Sequence, residues 1–255
     1  MPAMSDIDPI LRTDFKAVDK RDAIHNVWGW LTGDSAKVPI IMDGQKPFGV
    51  VNGRSLMSRR IDPSAHLEQY ALPTKALPET ATLQEISQRM AHLRASHMPI
   101  EDKKGKLRGY VTSVDVARAQ ANAGSAADLA VPVTALKMGH TVGDALHAFQ
   151  SEYVDWLPIM NGSGRVENVI GRRSILNIEA NGANGRGRKD NNGEKLNALE
   201  APLDGFAEDV VFRLPSGASQ EDVFQSVEKN GYVVIEGAGG RFVGMVTAAT
   251  LLRVP

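Results

Sequence analysis

A short alternation of apolar and polar positions recurs along the chain and predicts the same small unit each time. In its clearest copy, the apolar residues 98–100 precede a polar turn at 103–106, and a second apolar stretch covers residues 109–111. Two short apolar runs joined by a glycine-containing turn are typical of a β-hairpin. The second run ends at Thr112, and Asp115 follows three residues later, where a hydroxyl and a carboxylate can cap a helix. We therefore predict a hairpin that leads directly into a helix.

Three further stretches repeat this hairpin pattern. In the clearest copy the second strand starts ten positions after Pro99, and the same interval follows Pro39 and Pro158 in two of the further copies. The fourth copy lacks the proline, and its two strands begin at Tyr232 and Gly244. A pattern that returns in one order along the whole chain is an internal repeat, and it decides the fold before any single motif does.

A helix-start signal precedes each hairpin. It consists of a capping side chain and an acid three residues later, which together satisfy free amides and complement the helix dipole. The four pairs are Asp19 with Asp22, Thr82 with Glu85, Thr141 with Asp144, and Ser219 with Asp222. Behind the first pair, Ile24, Val27, Trp28 and Leu31 follow at helical spacing. Each unit is therefore predicted to run strand, helix, strand, strand, helix.

The repeat predicts an α/β (α+β) fold of four βαββα units. They span about residues 8–60, 71–120, 131–180 and 206–255. One such sheet is too small to be stable alone, so we expect the units to pack as two pseudo-twofold pairs, the first with the second and the third with the fourth. The pairs cover residues 1–122 and 131–255, and the small residues 123–130 link them. Segment 181–195 has only Ala183 as an apolar side chain, so we expect a disordered loop there.

Composition limits the classes of function. The 255 residues are 42% hydrophobic and 23% charged, which is typical of a globular protein. A net charge of −1 provides no long-range field toward nucleic acid or an anionic membrane. The chain has no cysteine, which excludes disulfides and thiolate catalysis. Residues 1–8 lack the basic start and the apolar run of a signal peptide, so we expect a cytoplasmic protein.

The proline-containing strand, the turn and the Gly-x-Val-Thr-x-x-Asp segment at 109–115 together resemble the cystathionine β-synthase (CBS) domain family. The resemblance runs from about Asp8 to Val254, and the four tandem motifs are similar to the two CBS pairs of archaeal CBS-domain proteins and of the gamma subunit of AMP-activated protein kinase. It implies a regulatory protein, not an enzyme, that binds an adenosine-containing ligand (AMP, ADP, ATP or S-adenosylmethionine) in the clefts between paired repeats.

The same resemblance implies a set of partners. The ligand signal would pass to an effector protein of unknown identity, and two chains could associate as a homodimer through their CBS pairs. No membrane and no nucleic acid is expected as a partner. No cofactor is implied besides the regulatory nucleotide, which Mg²⁺ would accompany if that nucleotide is ATP.

The resemblance also implies which residues bind the ligand. In the second repeat Thr112 and Asp115 match the positions that hold ribose, and an ionised carboxylate can accept hydrogen bonds from both ribose hydroxyls. The fourth repeat keeps Thr247 but has Thr250 in place of the acid. The family places cations before the proline and after the threonine position, where phosphates lie. The residues at these positions are Lys37, His97, Arg54, Arg172 and Arg173.

Only the second repeat carries the full ribose motif, so we expect the better site in the first pair. Because the other three repeats lack the acid, a ligand-free CBS scaffold for protein–protein interaction is an open alternative. An enzyme is less well supported, since the six histidines show no metal-ligand spacing and the glycines at 237–240 fit a hairpin turn. The arginine-containing run at 185–188 is a weak argument for RNA binding.

Overall fold

The computed structural model describes residues 7–32, 38–51, 56, 62–152, 154–183 and 198–252. The strands of this part of the chain are β1 (Phe15–Asp19), β2 (Val38–Asp43), β3 (Lys46–Val51), β4 (Ala71–Leu72), β5 (Leu77–Pro78), β6 (His97–Glu101), β7 (Leu107–Thr112), β8 (Leu136–Lys137), β9 (Trp156–Met160), β10 (Val166–Gly171), β11 (Arg213–Pro215), β12 (Tyr232–Glu236) and β13 (Phe242–Thr247). Its α-helices are α1 (Trp28–Thr32), α2 (Leu83–Leu93), α3 (Ser113–Gln120), α4 (Ala126–Leu129), α5 (Val142–Ser151), α6 (Arg172–Ala183) and α7 (Gln220–Asn230). Short 3-10 helices cover Asp8–Ile10, Ile24–Asn26, Leu67–Gln69, Ala198–Glu200, Leu203–Gly205 and Ala238–Gly240.

Four small sheets carry the architecture, one for each predicted repeat. In every sheet a first strand lies parallel to the central strand, and a third strand returns antiparallel to it. The sheets are β1-β2-β3 with β4 at its edge, β5-β6-β7, β8-β9-β10, and β11-β12-β13. A parallel pair needs a crossover, and the helical segment between the first and the central strand provides it. The predicted α/β class and the hairpin of each repeat are confirmed.

Capping boxes begin the helices that precede three of the hairpins. Thr82, Thr141 and Ser219 each accept a hydrogen bond from the backbone amide of the acid three residues later, and that acid accepts one from the amide of the capping residue. These bonds satisfy amides that have no partner within the helix. The predicted starts of α2, α5 and α7 are therefore confirmed.

The first repeat differs from this prediction. Asp19 is the last residue of β1, and its carboxylate accepts a hydrogen bond from the amide of Arg21 at 2.8 Å, which closes a turn. The amide of Ile24 then bonds to the carbonyl of Ala65 at 2.9 Å. Because this bond draws the segment toward residues 62–67, the expected helix is reduced to a 3-10 turn followed by the five residues of α1.

The two repeats of each pair exchange backbone segments. Arg12 precedes β1 in the first repeat, and its amide and carbonyl both bond to Tyr110 on β7 of the second repeat, at 2.8 and 2.9 Å. Leu72 precedes β5 in the second repeat and pairs with Val50 on β3 of the first. In the other pair, the same exchange joins Val131 to Met245 and Glu208 to Val169. Each repeat therefore completes the sheet of its partner.

Glycine on the third strand makes this close approach feasible. A Cβ atom at Gly109 would lie 2.3 Å from the carbonyl oxygen of Arg12, and one at Gly49 would lie 2.1 Å from that of Leu72. At these two positions a side chain would push the neighbouring segment off the strand. The glycine that recurs in the sequence thus marks the place where the partner repeat docks.

The chain forms two compact units, Met1–Asn122 with Leu251–Pro255, and Ala123–Thr250. In the first unit, Ile86 and Met90 of α2 pack with Met98 of β6 and Val111 of β7, all fully buried. Apolar faces of helix and sheet thus cover each other, as expected of a small sheet that needs a second layer.

Two predicted helices differ from the structure at the ends of the third and fourth repeats. Residues 248–252 form turns instead of a closing helix, because the amide of Thr250 bonds to the carbonyl of Thr247, only three residues back. In the third repeat, α6 continues to Ala183, three residues into the segment predicted to be a loop. Residues 184–195 of that segment lie outside the described residues.

Candidate ligand site

The strongest predicted site lies where β7 meets α3. Thr112 ends the strand, and its Oγ1 accepts a hydrogen bond from the amide of Asp115 at 3.1 Å and donates one to Asp115 Oδ2 at 2.7 Å. The same Oδ2 accepts the amide of Thr112 at 3.1 Å. This is the capping-box geometry of the other helices, but here the acid is buried, with 7% of its surface exposed. The carboxylate therefore lies at the positive end of the helix dipole.

Arg12, which the sequence analysis did not single out, binds the same carboxylate. It donates from Nε to Oδ2 of Asp115 at 2.8 Å and from Nη2 to Oδ1 at 2.7 Å. Such a two-pronged arginine–carboxylate pair combines charge with directional hydrogen bonds. Arg12 reaches the site because its backbone pairs with Tyr110, two residues before Thr112 on β7. The sequence around Arg12 carries no signal for this contact, which depends on the exchange of segments between repeats.

The pKa of Asp115 is lowered. Burial alone would raise it, but the hydrogen bonds from Arg12 and Thr112, together with the charge of Arg12, outweigh that effect. The carboxylate is therefore ionised at neutral pH and acts only as an acceptor.

Further polar side chains surround this ion pair. The Tyr110 hydroxyl donates to Asp14 Oδ1 at 3.0 Å. The pKa of Tyr110 is raised, mainly because the residue is partly buried and also because of this hydrogen bond. The predicted residue His97 begins β6 opposite Thr112, its Nδ1 lies 3.0 Å from Ser96 Oγ, and its ring is 5.8 Å from that of Tyr110. We refer to these residues as the Asp115 cluster: Arg12, Asp14, His97, Tyr110, Thr112 and Asp115.

The fourth repeat has an uncharged version of the same cap. Thr250 Oγ1 accepts the amide of Thr247 at 2.8 Å and donates to its carbonyl at 3.1 Å, while Thr247 Oγ1 accepts the amide of Thr250 at 3.3 Å. Both residues are buried, at 0% and 1% exposure. Val131 occupies the backbone position that Arg12 occupies beside the second repeat. The second repeat therefore has the pair Asp115 and Arg12, and the fourth repeat has Thr250 and the apolar Val131 at the matching positions.

Arg172 is an internal residue and does not face solvent as a phosphate contact would. Its Nη1 lies 3.1 Å from Asp155 Oδ1, and its Nη2 donates to the carbonyl of Val154. The guanidinium also lies 5.8 Å from the ring centre of Phe149. These contacts tie α6 to the segment between α5 and β9, so the charge of Arg172 is used within the second unit.

Three further residues were predicted as phosphate contacts. Arg173 is exposed on the first turn of α6. Lys37 and Arg54 lie outside the described residues.

Aromatic rings occupy the second unit at the strand position that His97 holds in the first. Trp156 begins β9 and Tyr232 begins β12, as His97 begins β6. The two rings lie with their centres 4.5 Å apart, and the Tyr232 hydroxyl donates to the carbonyl of Val210 at 2.7 Å. A Cβ atom at Gly171 would lie 3.0 Å from the Trp156 ring. Packed aromatic surface therefore fills this region of the second unit.

Other features of the described residues do not add a second candidate site. An open groove of about 390 Å³ follows α2 and is lined by Leu77, Ala81 and Arg89 among others, and it includes no residue of the Asp115 cluster. No three His, Asp or Glu side chains in this part of the chain are grouped so that they could hold a metal ion. Its helices are also too short or too polar to cross a membrane.

Comparison with known proteins finds similarity to one domain family and to several solved structures. The CBS domain model matches residues 71–122 and 126–181. A protein of Methanocaldococcus jannaschii, proposed to be an archaeal homolog of g-AMPK, superposes with a TM-score of 0.76 at 13% identity, covering 96% of this chain and 98% of its own. An uncharacterized conserved protein of Pyrococcus horikoshii gives a TM-score of 0.61 at 13% identity, with 96% of both chains covered.

A third solved structure is the CBS domain pair of another Methanocaldococcus jannaschii protein, in complex with 5′-methylthioadenosine and S-adenosyl-L-methionine. It covers 52% of this chain and 95% of its own, with a TM-score of 0.41 and 16% identity. No curated protein sequence matches the chain. The CBS domain model thus matches segments within the second and third repeats, and the protein with the TM-score of 0.76 shares the fold along nearly the full length of the chain.

Proposed function

We propose that this protein is a regulatory sensor that binds an adenosine-containing ligand through the Asp115 cluster and signals its presence to a partner protein. The buried, ionised carboxylate of Asp115 carries the proposal, because it is held in a fixed orientation by Thr112 at the start of α3. The ion pair is open to solvent on the side of Arg12, whose side chain is 33% exposed. A ligand can therefore reach the carboxylate from that side.

The chemistry of the cluster suits a ribose. An ionised carboxylate accepts hydrogen bonds from both the 2′- and the 3′-hydroxyl, and bonds to a charged acceptor are the stronger kind. His97 faces Thr112 across the ladder and could contact a phosphate in its protonated form. Lys37, Arg54 and Arg173 remain proposed phosphate contacts, and Mg²⁺ would accompany ATP.

We assign the ligand to the first unit because the second lacks the acid at the position of Asp115 and the arginine at the position of Arg12. Thr247 and Thr250 are buried and uncharged, Arg172 is committed to Asp155, and Trp156 packs on Tyr232. None of these groups offers an ionised acceptor to a ribose.

Isothermal titration calorimetry of the full chain with adenosine, AMP, ADP, ATP and S-adenosylmethionine tests this function. Asp115→Ala removes hydrogen bonds to a charged acceptor, which are worth about 1.5–3 kcal/mol each. Affinity for the ligand that binds best should therefore fall about ten- to a hundredfold. Glu85→Ala is the matched control, since it removes the capping acid of α2 in the same unit and should leave the affinity unchanged. An unchanged affinity in Asp115→Ala would rule out the site.

One observation favours a ligand-free interaction scaffold as the second candidate. The Arg12–Asp115 ion pair satisfies the carboxylate internally, as in a cleft that has lost its ligand. A ligand that binds only the folded state must raise the melting temperature. Absence of any thermal shift with millimolar concentrations of the same five compounds would favour the scaffold.

A further inference from the structure

Arg12 and a ribose would need the same two oxygen atoms of Asp115. The guanidinium presents two N–H donors, from Nε to Oδ2 and from Nη2 to Oδ1. A ribose presents two neighbouring O–H donors to a carboxylate in the same manner. The arginine thus occupies the place that the proposed function assigns to the ligand.

The crowding of donors at Oδ2 makes the two occupants exclusive. An ionised carboxylate offers about four lone-pair sites. Oδ2 already accepts three bonds, from Nε of Arg12 and from the amide and hydroxyl of Thr112, whereas Oδ1 accepts one, from Nη2 of Arg12. A ribose that donates one hydroxyl to each oxygen therefore needs the place of Nε at Oδ2. The Thr112 bonds belong to the cap of α3 and are retained for as long as the helix is formed. Only the two bonds from Arg12 can be exchanged without unfolding the site.

The N-terminal segment can release the side chain of Arg12 while its backbone stays in place. The backbone bonds to Tyr110 on both sides, and Gly109 allows that close contact. Arg108 on the same strand also holds this segment, through an ion pair with Asp8 at 2.9 Å. The guanidinium itself is partly exposed, so it can turn outward into water.

We propose that Arg12 is an internal competitor of the ligand and sets the affinity of the Asp115 site for ribose. The inference rests on the proposed function and adds to it a residue that lowers affinity. The N-terminal segment of the first repeat thereby regulates the ribose site of the second.

The test is calorimetry of the full chain with adenosine, which has a ribose but no phosphate that could bind a freed arginine. Arg12→Gln keeps the length of the side chain and removes its charge and its second prong. We expect this variant to bind adenosine about tenfold more tightly or better, which corresponds to about 1.4 kcal/mol. Arg108→Gln is the matched control, because it loosens the same segment without touching Asp115, and its affinity should equal that of the wild type. For 2′-deoxyadenosine, which has one hydroxyl fewer, the gain in Arg12→Gln should be smaller.

The outcomes separate this inference from the proposed function. If the wild type binds adenosine and Arg12→Gln binds it equally or more weakly, the competitor role is overturned and the function stands. If neither protein binds any of the five compounds, both fail. Should Arg12→Gln not fold, NMR of the Arg12 Nε–H in the wild type decides, since saturation with adenosine should abolish its protection from solvent exchange. Retained protection at saturation would overturn the competitor role.

Discussion

The two units share one backbone arrangement, but the side chains at the centre of the first are charged and those at the centre of the second are uncharged or aromatic. In the first, a buried acid, an arginine from the paired repeat and a histidine meet at the end of β7. In the second, the corresponding positions hold Thr250, Val131 and the aromatic residues Trp156 and Tyr232. The hairpins and the exchanged segments are alike in both units, and so are the caps of α2, α5 and α7, whereas the side chains at the centre of each unit differ in chemistry.

This difference shows how one scaffold separates stability from ligand chemistry. A buried carboxylate is costly unless it is paired, and its pairing can be exchanged for that of a ligand. Packed aromatic rings stabilise a fold and offer nothing to exchange. The first unit has kept a centre with exchangeable hydrogen bonds, and the second has a centre that contributes packing.

The largest expected effect tests the aromatic centre. Trp156→Ala should lower the free energy of unfolding by about 2–4 kcal/mol, because it removes a large ring packed on Tyr232. His97→Ala at the matched strand position should cost only about 1 kcal/mol. Chemical denaturation measures both losses, and hydrogen exchange assigns each loss to a unit. Equal losses in the two variants would contradict the contrast between the centres.

The next effect tests the charge of the first centre. Asp115→Asn should cost about 2–3 kcal/mol at pH 7, since it removes a charged acceptor from Arg12. The folded pKa of Asp115 is lowered, so its contribution is complete above the unfolded pKa of about 3.9 and is lost as pH falls through the folded pKa. The difference between wild type and variant should therefore shrink as the pH is lowered below about 4.

Thr250→Val provides the uncharged comparison for this pH profile. It removes the hydroxyl of the fourth-repeat cap and should cost about 1 kcal/mol. Because no ionisable group is involved, the cost should be the same at pH 7 and pH 3. Urea denaturation across this range measures both variants, and parallel pH profiles would show that Asp115 does not act through its charge.

The smallest effect tests what the units share. Thr82→Ala and Thr141→Ala each remove the capping side chain of the helix before a hairpin, one in each unit. Each should cost about 1 kcal/mol, and the two costs should be equal. A clear difference between them, measured by chemical denaturation, would mean that the contrast between the units extends beyond their centres.

The sequence by itself determined the features that depend on near neighbours along the chain. The caps at Thr82, Thr141 and Ser219 need an acid three residues later, and each hairpin needs two apolar runs about a turn. Both are visible as spacing, so the four sheets and the starts of α2, α5 and α7 could be predicted. The Thr112–Asp115 pair was recognised for the same reason.

Only the tertiary structure decided which distant residues meet. Arg12 and Asp115 are 103 positions apart, and nothing in the local pattern around either residue reveals the other. Arg172 has the sequence position of a phosphate contact, yet burial directs its charge to Asp155. The first-repeat helix was shortened by a backbone bond between Ile24 and Ala65. In each case, the outcome depends on which chain segment packs alongside, since desolvation and hydrogen bonding act through space and spacing along the sequence does not encode them.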